Sequence, residues 1–117
     1  MLEVGQKAPD FILPNYNGEN ISLKNYLGEK IVLWFFPKAS TPGWTVEGKG
    51  FRDEFKKYED MGMQIIGCSA DSQQKQTKFV EKHGFQFPML CDQSHQMLED
   101  YGVWQLKKFM GREYMGI

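Results

Sequence analysis

The apolar residues of this chain fall in short blocks separated by glycine, proline and polar turn residues. Residues 31–36, Ile-Val-Leu-Trp-Phe-Phe, form a continuous apolar run, which predicts a strand buried on both faces of a parallel sheet. Residues 63–68 and 87–90 repeat the pattern and predict two more strands of the same kind. Between these runs the period lengthens. Phe51, Phe55 and Tyr58 stand at i, i+4 and i+7 within a predicted helix over residues 45–61, which Gly62 closes. Gly48 and Gly50 each weaken a helix interior by about 1 kcal/mol against alanine, so this helix is expected to fray or kink near its start. Asp71 or Ser72 caps a further helix that runs to Lys82 and ends at Gly84. Asp92 or Ser94 caps a short one through Tyr101, stopped by Gly102. Before all of these, residues 11–13 and 21–23 predict two short strands around Asn17-Gly18, a strong hairpin signal, and residues 25–28 predict a turn. With no linker, repeat or low-complexity tract, strand and helix alternation implies one α/β domain over residues 1–117, its strands joined by right-handed crossovers.

Composition narrows the function classes. With 14 basic against 15 acidic residues the chain is almost neutral, which argues against nucleic acid or an anionic membrane surface as partner. The segment Lys107, Lys108 and Arg112 is mildly basic and reads as solvated charge. No apolar run approaches the ~20 residues of a membrane span, and the N-terminus carries no targeting pattern, so a soluble cytoplasmic protein is expected. Two cysteines outside any Cys-x-x-Cys pair give no disulfide framework and suit a reducing compartment. Cys68 and Cys91 both end buried strands and read as small core side chains, with a redox pair between them disfavoured by the narrow geometry of disulfides. His83 precedes a helix-ending glycine, where an imidazolium suits the C-terminal dipole; His95 reads as solvent-facing helix. No metal-ligand spacing and no cofactor motif is present, so neither a metal nor a cofactor is expected.

The most informative stretch is PKASTPGWTVEG at residues 37–48. Pro37 closes the apolar strand, Thr41 stands as an N-cap and Pro42 takes the first helical position, where a missing amide hydrogen costs nothing. Residue 44 therefore belongs to the first helical turn. Free backbone N–H groups and the positive end of the helix dipole stabilise an anion there, which is how a thiol pKa is brought into the physiological range. The residue at 44 is tryptophan. Its indole has neither an ionisable proton near neutral pH nor a nucleophilic lone pair.

This stretch resembles the active-site segment of peroxiredoxins, and the chain as a whole is similar to the peroxiredoxin Q, or bacterioferritin comigratory protein, group. The resemblance also takes in VGQKAPDF at residues 4–11, IIGCSADS at 65–72, FPMLCD at 87–92 and YGVWQLKKFMGREYMGI at 101–117. It implies a thioredoxin-like fold with an N-terminal β-hairpin, and thioredoxin-coupled reduction of hydrogen peroxide and alkyl hydroperoxides. By the same resemblance Pro37 and Thr41 match the proline and threonine that precede the peroxidatic cysteine, and Trp44 occupies that cysteine's position. Glu47 matches a polar residue of the family's segment and reads as a surface or supporting carboxylate. Lys49 matches the resolving cysteine that many members carry. Trp104, in a YGVW block the family shares, is expected to pack near the site mouth, a partner contact being the other reading.

These departures set the functional expectation. Thiolate attack on an O–O bond needs a chalcogen at position 44, and indole removes the attacking atom while filling its pocket. The family's site is completed by an arginine after the segment ending in Gly-Ile, just beyond Ile117, and loss of such a donor commonly costs ~10²-fold in rate. Peroxidase turnover is therefore not expected. The alternatives are a non-catalytic peroxiredoxin-fold scaffold, or a cysteine or selenocysteine peroxidase whose residue 44 is an engineered change or a misread codon; the cation of Lys49 suits a selenolate or thiolate. The resemblance also implies that two strands and a helix follow Ile117, which leaves the strand at 31–36 as an open edge inviting oligomerisation or domain swapping. Light scattering from a monodisperse, cooperatively unfolding monomer of this length would contradict that last expectation.

Overall fold

The computed structural model describes residues 3–36, 39, 42–109 and 112–116, with only the backbone path given for residues 42–44, 105–109 and 112–116. Strands β1 (Ile12–Pro14) and β2 (Asn20–Ser22) form the expected antiparallel hairpin, and Gly18 at its tip takes the left-handed φ of +88° that glycine permits. A 3-10 turn over Leu23–Tyr26 follows, its start closed by a reciprocal Ser22–Asn25 box.

The centre of the molecule is a parallel sheet of β3 (Lys30–Phe35), β4 (Met63–Ser69) and β5 (Met89–Cys91) in the order β3-β4-β5. The third strand starts two residues later than its apolar run, because Phe87 and Pro88 approach the sheet without joining it: Phe87 is buried in the core and the Pro88 carbonyl accepts from Gly67 N–H at 2.9 Å. The crossover from β3 to β4 carries α1 (Pro42–Asp53) and α2 (Phe55–Asp60), and that from β4 to β5 carries α3 (Gln73–His83). Both crossovers cover one face, where Trp34, Phe36, Ile65, Phe79, Val80, Phe85, Phe87 and Met89 form a core against which Phe51, Phe55 and Tyr58 pack. The other face holds Ile66, Cys68 and Leu90, covered by Phe11 from the N-terminal segment and by Met97, Leu98 and Tyr101 in and after α4 (Gln96–Asp100). Apolar strands covered on both faces are what a parallel sheet with α/β crossovers requires.

Three differences from the sequence reading have physical causes. The helix expected over residues 45–61 is two helices, and the break falls at Glu54, whose φ and ψ of −102° and 10° leave the helical region, rather than at the glycines. β3 is less buried than its composition predicts. Among the described residues it pairs with β4 alone, so Trp34 is buried against the helices while Ile31, Leu33 and Phe35 on the opposite face remain half-buried. Beyond Trp104, β6 (Gln105–Phe109) and β7 (Arg112–Gly116) form an antiparallel hairpin that the sequence reading did not assign.

Candidate active site

The C-terminal ends of β3, β4 and β5 converge where open parallel sheets place their ligand sites. α1 begins there at Pro42, as the proline signal predicts, and residue 44 is the third residue of the helix. Pro37 and Thr41 lie outside the described residues, and the side chain of Trp44 is likewise outside them, so the structure places residue 44 by its backbone. Glu47 is exposed and Lys49 half-buried on the following turn.

Gly48 explains how closely α1 sits on the sheet. A Cβ at that position would stand 2.5 Å from Trp34 Cη2 and 2.9 Å from Phe85 Cζ, closer than carbon atoms pack. Glycine therefore lets the helix rest directly on two aromatic rings, four residues after position 44. Gly50 meets nothing within 4 Å and has no such role.

At Ala39, three residues before α1, the chain meets a buried polar network that the sequence reading missed. Asp71 Oδ2 accepts from Ser69 Oγ at 2.7 Å and from the backbone N–H of Ala39 at 2.7 Å. Gln76 Nε2 donates to Ser69 Oγ and to the Leu90 carbonyl, both at 2.9 Å. Sequence signals gave Asp71 only as a cap candidate, but the cap of α3 is Ser72, whose hydroxyl accepts from Lys75 N–H at 3.3 Å. The signal that was available is the Ser-x-Asp spacing straight after a buried strand, which returns two polar side chains toward the sheet end.

Neither cysteine belongs to a reactive arrangement. Register pairs Cys68 with Leu90 and Ser69 with Cys91, so the pleat sends the two thiols to opposite faces of the sheet and no disulfide joins them. Burial, with Asp92 and Cys91 adding to it, pushes the Cys68 thiol well above its usual range, and its Sγ lies 3.9 Å from Met97 Sδ. Burial first and the Asp71 carboxylate second push Cys91 up to about 11. Both thiols stay protonated at neutral pH, the opposite of what a nucleophile needs.

The two histidines depart from their readings. Burial and the charges of Lys49, Lys82 and Arg52 lower the His83 pKa, so it is not the helix-end imidazolium expected; Arg52 fills that role, its Nη1 donating to the His83 carbonyl at 2.7 Å. His95 precedes α4 in a left-handed conformation with φ of 66° and stacks on Trp104, ring centres 4.1 Å apart. Trp104 is thus packed against His95 and the second core. Buried Asp92 anchors α4 by accepting from Leu98 N–H at 2.8 Å, and Ser94 Oγ accepts from Gln96 N–H at 3.4 Å. Among the described residues no helix is long and apolar enough to cross a membrane.

With this geometry in view, comparison with known proteins is decisive. The profile of the AhpC/TSA family matches residues 4–115. The chain belongs to that family. Within it the similarity is to the peroxiredoxin Q group: the chain is 48% identical to Peroxiredoxin Bcp of Bacillus subtilis and 40% identical to that of Escherichia coli K12, in each case over 99% of this chain and 74% of the relative. Among solved structures, Xanthomonas campestris bacterioferritin comigratory protein, described for its alkyl peroxide reduction activity, superposes with a TM-score of 0.86 at 32% identity over 92% of this chain and 68% of its own. Mycobacterium tuberculosis BcpB gives the same TM-score and identity over 99% of this chain and 75% of its own. The thioredoxin-like α/β fold and the N-terminal hairpin are therefore those of this peroxiredoxin group.

Proposed function

We propose that this peroxiredoxin carries the scaffold of a thiol-dependent peroxidase whose nucleophile position is residue 44, and that with tryptophan there it does not turn over peroxide. The observation that carries the reading is the place of residue 44 in the first turn of α1, at the C-terminal end of β3. In a member with a chalcogen at that place, the thiolate attacks the terminal peroxide oxygen, the O–O bond breaks, sulfur becomes a sulfenic acid, and the departing alkoxide or hydroxide takes a proton to leave as alcohol or water. Pro37 and Thr41 are assigned to shaping the entrance and steadying the substrate oxygens, and Glu47 to the site rim. Lys49 stands where a resolving sulfur would be, so no internal disulfide closes the cycle. Cys68 and Cys91 do not substitute, being buried and held protonated.

The substrate class is hydroperoxides, alkyl hydroperoxides included, as the description of the Xanthomonas relative supports. The reductant is a thioredoxin-like dithiol by family, and two buried free thiols suit a cytoplasmic setting. Peroxide consumption with a dithiol reductant tests the reading. The parent chain is expected to match a protein-free control, and Trp44→Cys to exceed the parent by about 10²-fold or more. Turnover by the parent, or no gain in a folded Trp44→Cys variant, contradicts it.

A further inference from the structure

Asp71 makes a connection that its sequence position does not announce. The N–H of Phe36 closes the β3–β4 ladder onto the Cys68 carbonyl at 3.1 Å. Beyond β3 the chain goes on toward α1, and the N–H of Ala39 between them needs an acceptor. Asp71 supplies one from a side chain, its Oδ2 accepting from Ala39 N–H at 2.7 Å across 32 residues of sequence. The acceptor is itself held. Ser69, fully buried, donates to the same oxygen at 2.7 Å, and Gln76, also fully buried, ties Ser69 Oγ to the Leu90 carbonyl of β5. Asp71 is 8% exposed, so its carboxylate works where water competes little and hydrogen bonds to charge are strongest.

We propose that Asp71 is a positioning residue for the site at residue 44: its carboxylate fixes the chain at Ala39, just before α1 begins, and so sets where the first turn of that helix points. The catalytic consequence rests on the proposed function; the anchoring itself does not. Displacement of a reacting group by about 1 Å commonly costs ~10²-fold in rate, so a tether so near the helix start has leverage on any chemistry performed there.

Amide hydrogen exchange by NMR, on the parent chain and on Asp71→Ala and Asp71→Asn variants, tests the anchoring. Ala39 is expected to exchange ~10-fold faster or more in Asp71→Ala, and by an intermediate factor in Asp71→Asn, which keeps a neutral acceptor oxygen. The amides of Ile65 and Ile66 in β4 are expected to stay within about threefold of the parent. Unchanged exchange at Ala39, or acceleration of β4 in step with it, overturns the proposal; should Asp71→Ala fail to fold, the Asp71→Asn comparison decides alone. The second arm measures kcat/KM for hydrogen peroxide in a Trp44→Cys background. Adding Asp71→Ala is expected to lower it ~10-fold or more at unchanged melting temperature, with Asp71→Asn restoring most of the loss. Faster Ala39 exchange with unaltered kcat/KM would show an anchor that does not position the site and would overturn the proposal. A Trp44→Cys parent without activity would instead remove the proposed function, leaving the exchange experiment to decide Asp71 independently.

Discussion

At position 48 the absence of a side chain matters more than helix propensity. Gly48 and Gly50 look alike in the sequence, two glycines that weaken the same helix, and only packing separates them. A methyl group at 48 would strike Trp34 and Phe85, whereas one at 50 meets open space. Gly48→Ala is therefore expected to destabilise by roughly 1–3 kcal/mol, since the overpacking cost exceeds the ~1 kcal/mol gain in helix propensity. Gly50→Ala is expected to stabilise by about 0.5–1 kcal/mol. Urea denaturation of the two variants checks the pair, and equal signs would mean that α1 does not rest on those rings. Position 44 was legible for the opposite reason. Proline, threonine and the end of a buried strand mark a helix start by local rules alone, and tryptophan is conspicuous there whatever the tertiary structure.

Elements bounded by strong local signals were placed well by sequence. Ser72 and Gly84 bracket α3 as expected, the latter in the left-handed conformation with φ of 68°, and the Asn17-Gly18 turn forms. What sequence could not supply was the set of neighbours. His83 is the clearest case: the dipole argument concerned its own helix, but its environment comes from burial and from Lys49 and Arg52 on α1 as well as from Lys82. With the folded pKa below the ordinary 6.5, the unfolded chain takes up its proton first as pH falls. Stability contributed by neutral His83 is therefore present above that range and lost on acidification through it. Melting temperatures at pH 7.5 and 5.5 are expected to fall more for the parent than for His83→Gln; an equal or larger fall in the variant would contradict the lowered pKa. The pairing of β6 with β7 was not legible because residues 105–116 mix charged and apolar positions without the strict alternation that marks a half-buried strand.

For the whole molecule, the α/β order was readable because three apolar runs separated by helical periods leave little choice but a parallel sheet with crossovers. The degree of burial was not. β3 has the most apolar composition, yet Ile31, Leu33 and Phe35 are half-buried, and a cavity of about 560 Å³ bordered by Lys7, Tyr26, Leu27 and Ile31 opens at the start of the strand. The candidate site was readable in its covalent part, residues 37–48, and unreadable in its support, because Ser69, Asp71, Gln76 and Ala39 meet only once β3, β4 and α3 are assembled.

The central claim is that this assembly makes position 44 a place that activates a thiolate, so that the identity of one residue separates a peroxidase from an inert scaffold. The most direct test is the pH titration, by thiolate absorbance, of the thiol introduced by Trp44→Cys. The parent supplies the baseline, since Cys68 and Cys91 ionise only at high pH. A thiol pKa well below the ordinary value of about 8.5, near 7 or lower, is the result the account predicts. A value at or above 8.5 in a folded variant would contradict it, because the helix start would then lack the field on which the proposed function depends.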